Sequence, residues 1–111
     1  MSASGGTVQY AEWDVSEVHG TRGRIRIVDV REPDEYCGAV GHIEGAELIP
    51  LGTLAAALDS WDKTAPVILV CRSGGRSARA AGMLITLGFE RPINMTGGML
   101  AWNARSLPVA R

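Results

Sequence analysis

The chain has 111 residues, enough for one domain with a real core, and its 46% hydrophobic and 21% charged content is that of an ordinary globular protein. The net charge of −1 leaves no basic excess to neutralise nucleic-acid phosphates or an acidic membrane surface. Two cysteines make no disulfide framework at this size, and no segment approaches the length needed to span a bilayer.

Residues 1–6 are small and polar and read as a flexible N-terminus, without the basic and apolar regions of a secretory signal; residues 7–111 read as the domain. A reducing cytoplasm is the simplest location for such a chain and keeps its thiols free. Thr7 to Trp13 predicts a short edge strand, Val15 to His19 one or two helical turns, and Gly20-Thr21-Arg22-Gly23 a turn. Arg24 to Val30 turns fully apolar at Ile27-Val28, as a strand entering a sheet does. Pro33 to Tyr36 has an early proline and acids near the positive end, the start of a short helix. Glu47 to Ile49 predicts a brief strand, and Leu51 to Trp61 a helix with Leu51, Leu54, Ala55 and Leu58 on one face. Val67 to Val70 has the length and β-branched content of a buried strand, and an alanine-rich helix runs from Ser77 until Gly88 closes it. Ile93 to Met95 and Met99 to Arg105 complete the series as strand and helix. The alternation predicts an α/β domain, a mainly parallel central sheet with helices on both faces.

Cys71 stands between the carboxyl end of the Val67–Val70 strand and the following helix, where open α/β sheets hold their ligands. The turn Arg72-Ser73-Gly74-Gly75-Arg76 has adjacent glycines, which accept dihedrals that let backbone N–H groups point inward together. With the unpaired N–H groups of the helix, and with Arg72, Arg76 and Arg79 nearby, this is a setting for a thiolate. Cysteine pKa values fall from about 8.5 to between about 3.5 and 7.5 in such places. The plainer reading is an inert buried thiol. Ten of the eleven cations are arginine, whose planar fork suits oxyanions.

Several segments together resemble the rhodanese family of sulfurtransferases. They are Asp29-Val30-Arg31-Glu32 (D-x-R-E), Gly41-His42-Ile43-Glu44-Gly45-Ala46 with Ile49-Pro50 behind it, and Cys71-Arg72-Ser73-Gly74-Gly75-Arg76-Ser77. Gly97-Gly98-Met99-Leu100-Ala101-Trp102 and Leu107-Pro108-Val109 follow in the family's order. The resemblance covers residues 9–109, and one departure is that Cys37-Gly38-Ala39-Val40 makes the spacing before Gly41 longer than usual.

The resemblance implies a single rhodanese-like domain with no cofactor, whose Cys71 takes a sulfane sulfur from a donor such as thiosulfate. It then passes the sulfur from a persulfide to cyanide, a thiol or a protein acceptor. Arg72, Ser73, Gly74, Gly75 and Arg76 would bind the donor, Arg31 would line the mouth, and Asp29 would brace the loop in a buried pair with Arg76. The alternative for these charges is a plain surface salt bridge. His42, between glycines in a turn motif, reads as a structural hydrogen-bonder rather than a base, and Trp102 as core. Cys37, His19 and His42 lack metal-ligand spacing. Cys37 is a candidate second thiol for Cys71, against the simpler reading of a solitary surface thiol. Competing functions are a non-enzymatic sulfur carrier or interaction module, and a cysteine phosphatase or arsenate reductase. The last needs C-x5-R, and that position is Ser77, with Arg76 one residue early.

Overall fold

The structure is a computed structural model that describes residues 10–111. Five parallel strands form one sheet in the order β1-β5-β4-β2-β3. They are β1 (Ala11–Trp13), β2 (Arg26–Asp29), β3 (Glu47–Leu48), β4 (Val67–Val70) and β5 (Pro92–Met95). The connections carry α1 (Val15–Gly20), α2 (Pro33–Tyr36), α3 (Leu54–Ala57, entered by a 3-10 turn over Leu51–Thr53) and α4 (Gly75–Thr86), and α5 (Gly98–Ala104) follows β5. The predicted parallel α/β sheet is therefore what forms. The edge strand begins only at Ala11; Thr7 to Gln9 and the predicted flexible residues 1–6 lie outside the described residues.

Successive strand residues face opposite sides of a sheet, and in β4 this divides the core in two. Ile68 and Val70 join Val15, Val18, Met99 and Trp102 on the face covered by α1 and α5. Val67, Leu69 and Cys71 join Leu54, Leu58, Ala80, Ala81 and Leu84 on the face covered by α3 and α4. All four β4 residues are buried, which is why the segment reads as an unbroken apolar run. Among the described residues, no helix is long and apolar enough to cross a membrane.

Two predicted helices change their limits. The segment 51–61 is a 3-10 turn followed by a single α-turn, and Ala55 is exposed rather than on the packed face. Leu54 and Leu58, one turn apart, are fully buried in the core, and Leu51 packs against it partly buried. Trp61 packs at the edge of the same core and stacks under the Arg26 guanidinium, 3.5 Å from its ring centre. α4 begins at Gly75 instead of Ser77, because Gly74 at φ +106° turns the chain straight into the helix.

Candidate active site

Strand β4 delivers Cys71 to its carboxyl end with 1% of its surface exposed, on the α4 side. The turn then folds over the sulfur. The Gly74 N–H donates to Cys71 Sγ at 3.0 Å, and the Ser77 hydroxyl lies 3.3 Å from the same atom. Burial pushes the thiol pKa up, but hydrogen bonds from the Ser77 hydroxyl and from the Ser77, Gly74 and Ser73 amides outweigh it. The net result is a thiol below the ordinary cysteine value. Backbone and hydroxyl donors thus carry the effect that the sequence reading shared with the arginines. Arg72 and Arg79 are exposed, and the charge of the sulfur acts on the Arg76 guanidinium.

The expected Asp29–Arg76 pair does not form. Asp29 ends β2 and Arg31 follows two residues later, so both side chains fall on one side of the extended chain. The Arg31 guanidinium folds back onto Asp29, with Nε donating to Oδ1 at 2.9 Å and Nη2 to Oδ2 at 2.8 Å. At 1% and 0% exposure this is a buried pair and no surface salt bridge. Arg31 Nη2 also donates to Gly41 O at 2.9 Å, which ties the 35–41 segment to the end of β2. Arg76, in the first turn of α4, faces α2 instead and grips Glu35 at 2.7 and 2.8 Å. This hydrogen bond holds the Glu35 carboxyl down at about 2. Arg76 is also more exposed than expected, at 36% of its side chain.

The start of α5 supports the loop from the other side of the sheet. The Met99 N–H donates to Cys71 O at 2.9 Å and the Leu100 N–H to Arg72 O at 3.0 Å. Gly98 makes this approach possible, because a Cβ there would fall within 2.6 Å of Cys71 O. Trp102 is fully buried below, its indole N–H donating to Pro108 O at 2.9 Å. His42 stacks on Tyr36 with ring centres 3.7 Å apart and its Nδ1 lies 2.8 Å from Tyr36 O, a structural role as expected.

Beside the loop is a hollow of about 130 Å³ lined by Arg31, Glu35, Gly38, Ala39, Val40 and Arg72. Arg31 and Arg72 thus meet at one opening, Arg31 with its charge already paired and Arg72 exposed. Cys37 is an exposed free thiol at the end of α2 and is not among the residues that line the hollow. Among the described residues, no three His, Cys, Asp or Glu side chains gather as a metal site requires. The sequence reading missed Ser77 and Glu35 as site residues, and with them Asn94, whose Oδ1 accepts from Ser77 Oγ at 2.6 Å. For Ser77 the available signal was its place at the position where a phosphatase loop carries arginine.

The family model of the rhodanese-like domain matches residues 14–105. The chain belongs to the rhodanese family. A sulfurtransferase of Allochromatium vinosum is 34% identical over 85 residues, 77% of this chain and 78% of that protein. The thiosulfate sulfurtransferase GlpE of Pseudoalteromonas translucida is 37% identical over 80 residues, 72% of this chain and 74% of that one. Among solved structures, a rhodanese-like domain protein from Staphylococcus aureus superposes with a TM-score of 0.77 at 31% identity, covering 91% of this chain and 99% of that chain.

Proposed function

We propose that this rhodanese-like domain transfers sulfane sulfur through a persulfide on Cys71. The observation that supports it most is the polar lining of Sγ at the end of β4, with the Gly74 N–H donating at 3.0 Å and the Ser77 hydroxyl 3.3 Å away. A sulfur held in this way is available as a thiolate without a histidine or aspartate base.

In the first half-reaction the thiolate attacks the outer sulfur of a donor such as thiosulfate. The new S–S bond forms as the donor's S–S bond breaks, and sulfite leaves with the electron pair. In the second, a thiophilic acceptor (cyanide, a thiol or a protein thiol) attacks the outer persulfide sulfur, and Cys71 departs as the thiolate. Bringing a thiolate within 4 Å of one unit of negative charge costs about 4 kcal/mol at an effective dielectric of about 20. The loop amides of Ser73, Gly74 and Ser77 oppose that repulsion, and Arg72, exposed at the hollow, is the guanidinium best placed to receive the anion. Arg76 is a weaker partner for the donor because Glu35 neutralises it. Asp29 braces the site through Arg31. The free thiols suit a reducing compartment, for which the cytoplasm is the simplest choice.

A phosphoryl-transfer reading is disfavoured by Ser77, whose hydroxyl fills the place where a C-x5-R loop needs its guanidinium. The test is steady-state thiosulfate:cyanide transfer. Ping-pong kinetics in the wild type and loss of turnover in Cys71→Ser are expected; turnover that survives Cys71→Ser would end the proposal.

A further inference from the structure

The sulfur is one end of a buried hydrogen-bond chain that sulfur transfer alone does not require. Ser77 Oγ lies 3.3 Å from Cys71 Sγ and 2.6 Å from Asn94 Oδ1, and Asn94 Nδ2 donates to Glu12 Oε2 at 3.3 Å. Among the described residues the buried polar or charged side chains are Asp29, Arg31, Ser77 and Asn94. Asp29 and Arg31 satisfy each other, and Ser77 and Asn94 are the remaining two. Buried polar groups in a small core are costly unless paired, so their placement directly behind the nucleophile calls for a role.

The chain has a direction. The Glu12 carboxylate accepts, so Asn94 turns its Nδ2 there and presents Oδ1 to Ser77. An amide oxygen accepts only, so the Ser77 hydroxyl donates to it, with Gly74 O as a second acceptor at 3.2 Å. A hydroxyl has one proton, and at 2.6 Å it belongs to Asn94. The neutral Cys71 thiol can then donate towards Ser77 Oγ, but a thiolate has no proton to give. It is stabilised by Ser77 only when the hydroxyl swings its proton from Asn94 to the sulfur.

We propose that Asn94, oriented by Glu12, is a positioning residue that competes with the Cys71 sulfur for the single Ser77 proton. When the thiol ionises, its proton leaves to water. The Ser77 hydroxyl rotates about Cβ–Oγ without breaking its O–H bond, giving up Asn94 Oδ1 and gaining Sγ. In the persulfide the inner sulfur is neutral and a poor acceptor, so the hydroxyl returns to Asn94; it swings back as the inner sulfur departs as thiolate. This last use rests on the sulfur-transfer reading, whereas the competition itself does not.

Other charged groups surround the site and are unchanged in the Ser77 and Asn94 variants: Arg72 in the loop, Arg76 on α4 with its partner Glu35 on α2, the Asp29–Arg31 pair after β2, and Glu12 on β1. The experiment titrates the ultraviolet absorbance of the Cys71 thiolate in the 111-residue chain carrying Cys37→Ser. Ser77→Ala is expected to raise the midpoint, so that the thiolate fraction below it falls about tenfold, the effect of losing a hydrogen bond to a charged acceptor. Asn94→Ala is expected to lower the midpoint, and to have no effect once Ser77→Ala is also present. Glu12 is exposed and safe for folding: Glu12→Ala frees the Asn94 amide to turn and should lower the midpoint, whereas Glu12→Gln keeps an acceptor and should leave it near wild type. A midpoint indifferent to Asn94→Ala, one that it shifts equally without Ser77, or equal shifts in Glu12→Ala and Glu12→Gln would each overturn the proposal. Midpoints that move as described in a protein that accepts no sulfur from thiosulfate would instead overturn the functional reading alone.

Discussion

Gly98 sets how closely α5 can approach the loop that carries Cys71. Its φ is +59°, and a Cβ would press on the carbonyl group of Arg72 and lie 2.6 Å from Cys71 O. These are backbone atoms, so no side-chain rotation relieves the contact. In Gly98→Ala the left-handed conformation costs about 1–2 kcal/mol. The clash is relieved only if α5 moves off the loop, opening the Met99 N–H to Cys71 O and Leu100 N–H to Arg72 O bonds, each worth about 0.5–1.5 kcal/mol. The expected destabilisation is about 3 kcal/mol, a fall in Tm of roughly 12 °C or more for a domain of this size. Thermal unfolding by circular dichroism measures it, and sulfur-transfer rates well below Tm should also drop because the loop has lost its support. Gly82→Ala on α4 is the control: nothing lies within 4 Å of its Cβ, and alanine there should stabilise by about 0.5–1 kcal/mol. A Gly98→Ala protein with wild-type Tm and turnover would refute the account of how the loop is held.

Arg72→Ala should raise the thiosulfate KM more than it lowers kcat, since Arg72 is exposed at the hollow and makes no ion pair within the described residues; an unchanged KM would remove it from donor binding. Glu35→Gln should cost only about 0.5–1 kcal/mol near neutral pH, the scale of a part-exposed pair and well below that of the buried pair the sequence led us to expect. Because the folded carboxyl is held down at about 2 from 4.5, its stabilisation is complete above 4.5 and is lost as pH falls towards 2. Wild type and Glu35→Gln should therefore converge in Tm over that window, and a constant difference would count against the pair. Inserting a glycine between Gly75 and Arg76 moves arginine to the C-x5-R position and should weaken sulfur transfer, as measured by thiosulfate turnover; unchanged turnover would show that loop size does not select the substrate.

Features that depend on local chemistry were legible in the sequence. The Val67–Val70 run, Cys71 and the glycine turn announce a strand, a cysteine at its carboxyl end and a helix start because each follows from residue type and order. Partner choice was not legible. Whether Arg76 meets Asp29 or Glu35 depends on where α2 lies across the mouth, and Arg31 was free to fold back on Asp29 two residues away. The Ser77–Asn94 contact joins residues 17 apart through the packing of α4 on β5. An asparagine in an apolar strand was a visible anomaly, but nothing local says what it faces. In the segment 51–61 the apolar face of Leu51, Leu54 and Leu58 was legible, whereas the stacking of Trp61 on Arg26 from β2 joins residues far apart in sequence and was not.

The central claim is that Cys71 carries sulfur between donor and acceptor. Intact mass after incubation with thiosulfate measures it most directly. One added sulfur atom is expected, located on the Cys71 peptide, removed by dithiothreitol and absent from Cys71→Ser. No added mass in the wild type, or the same added mass in Cys71→Ser, would contradict it.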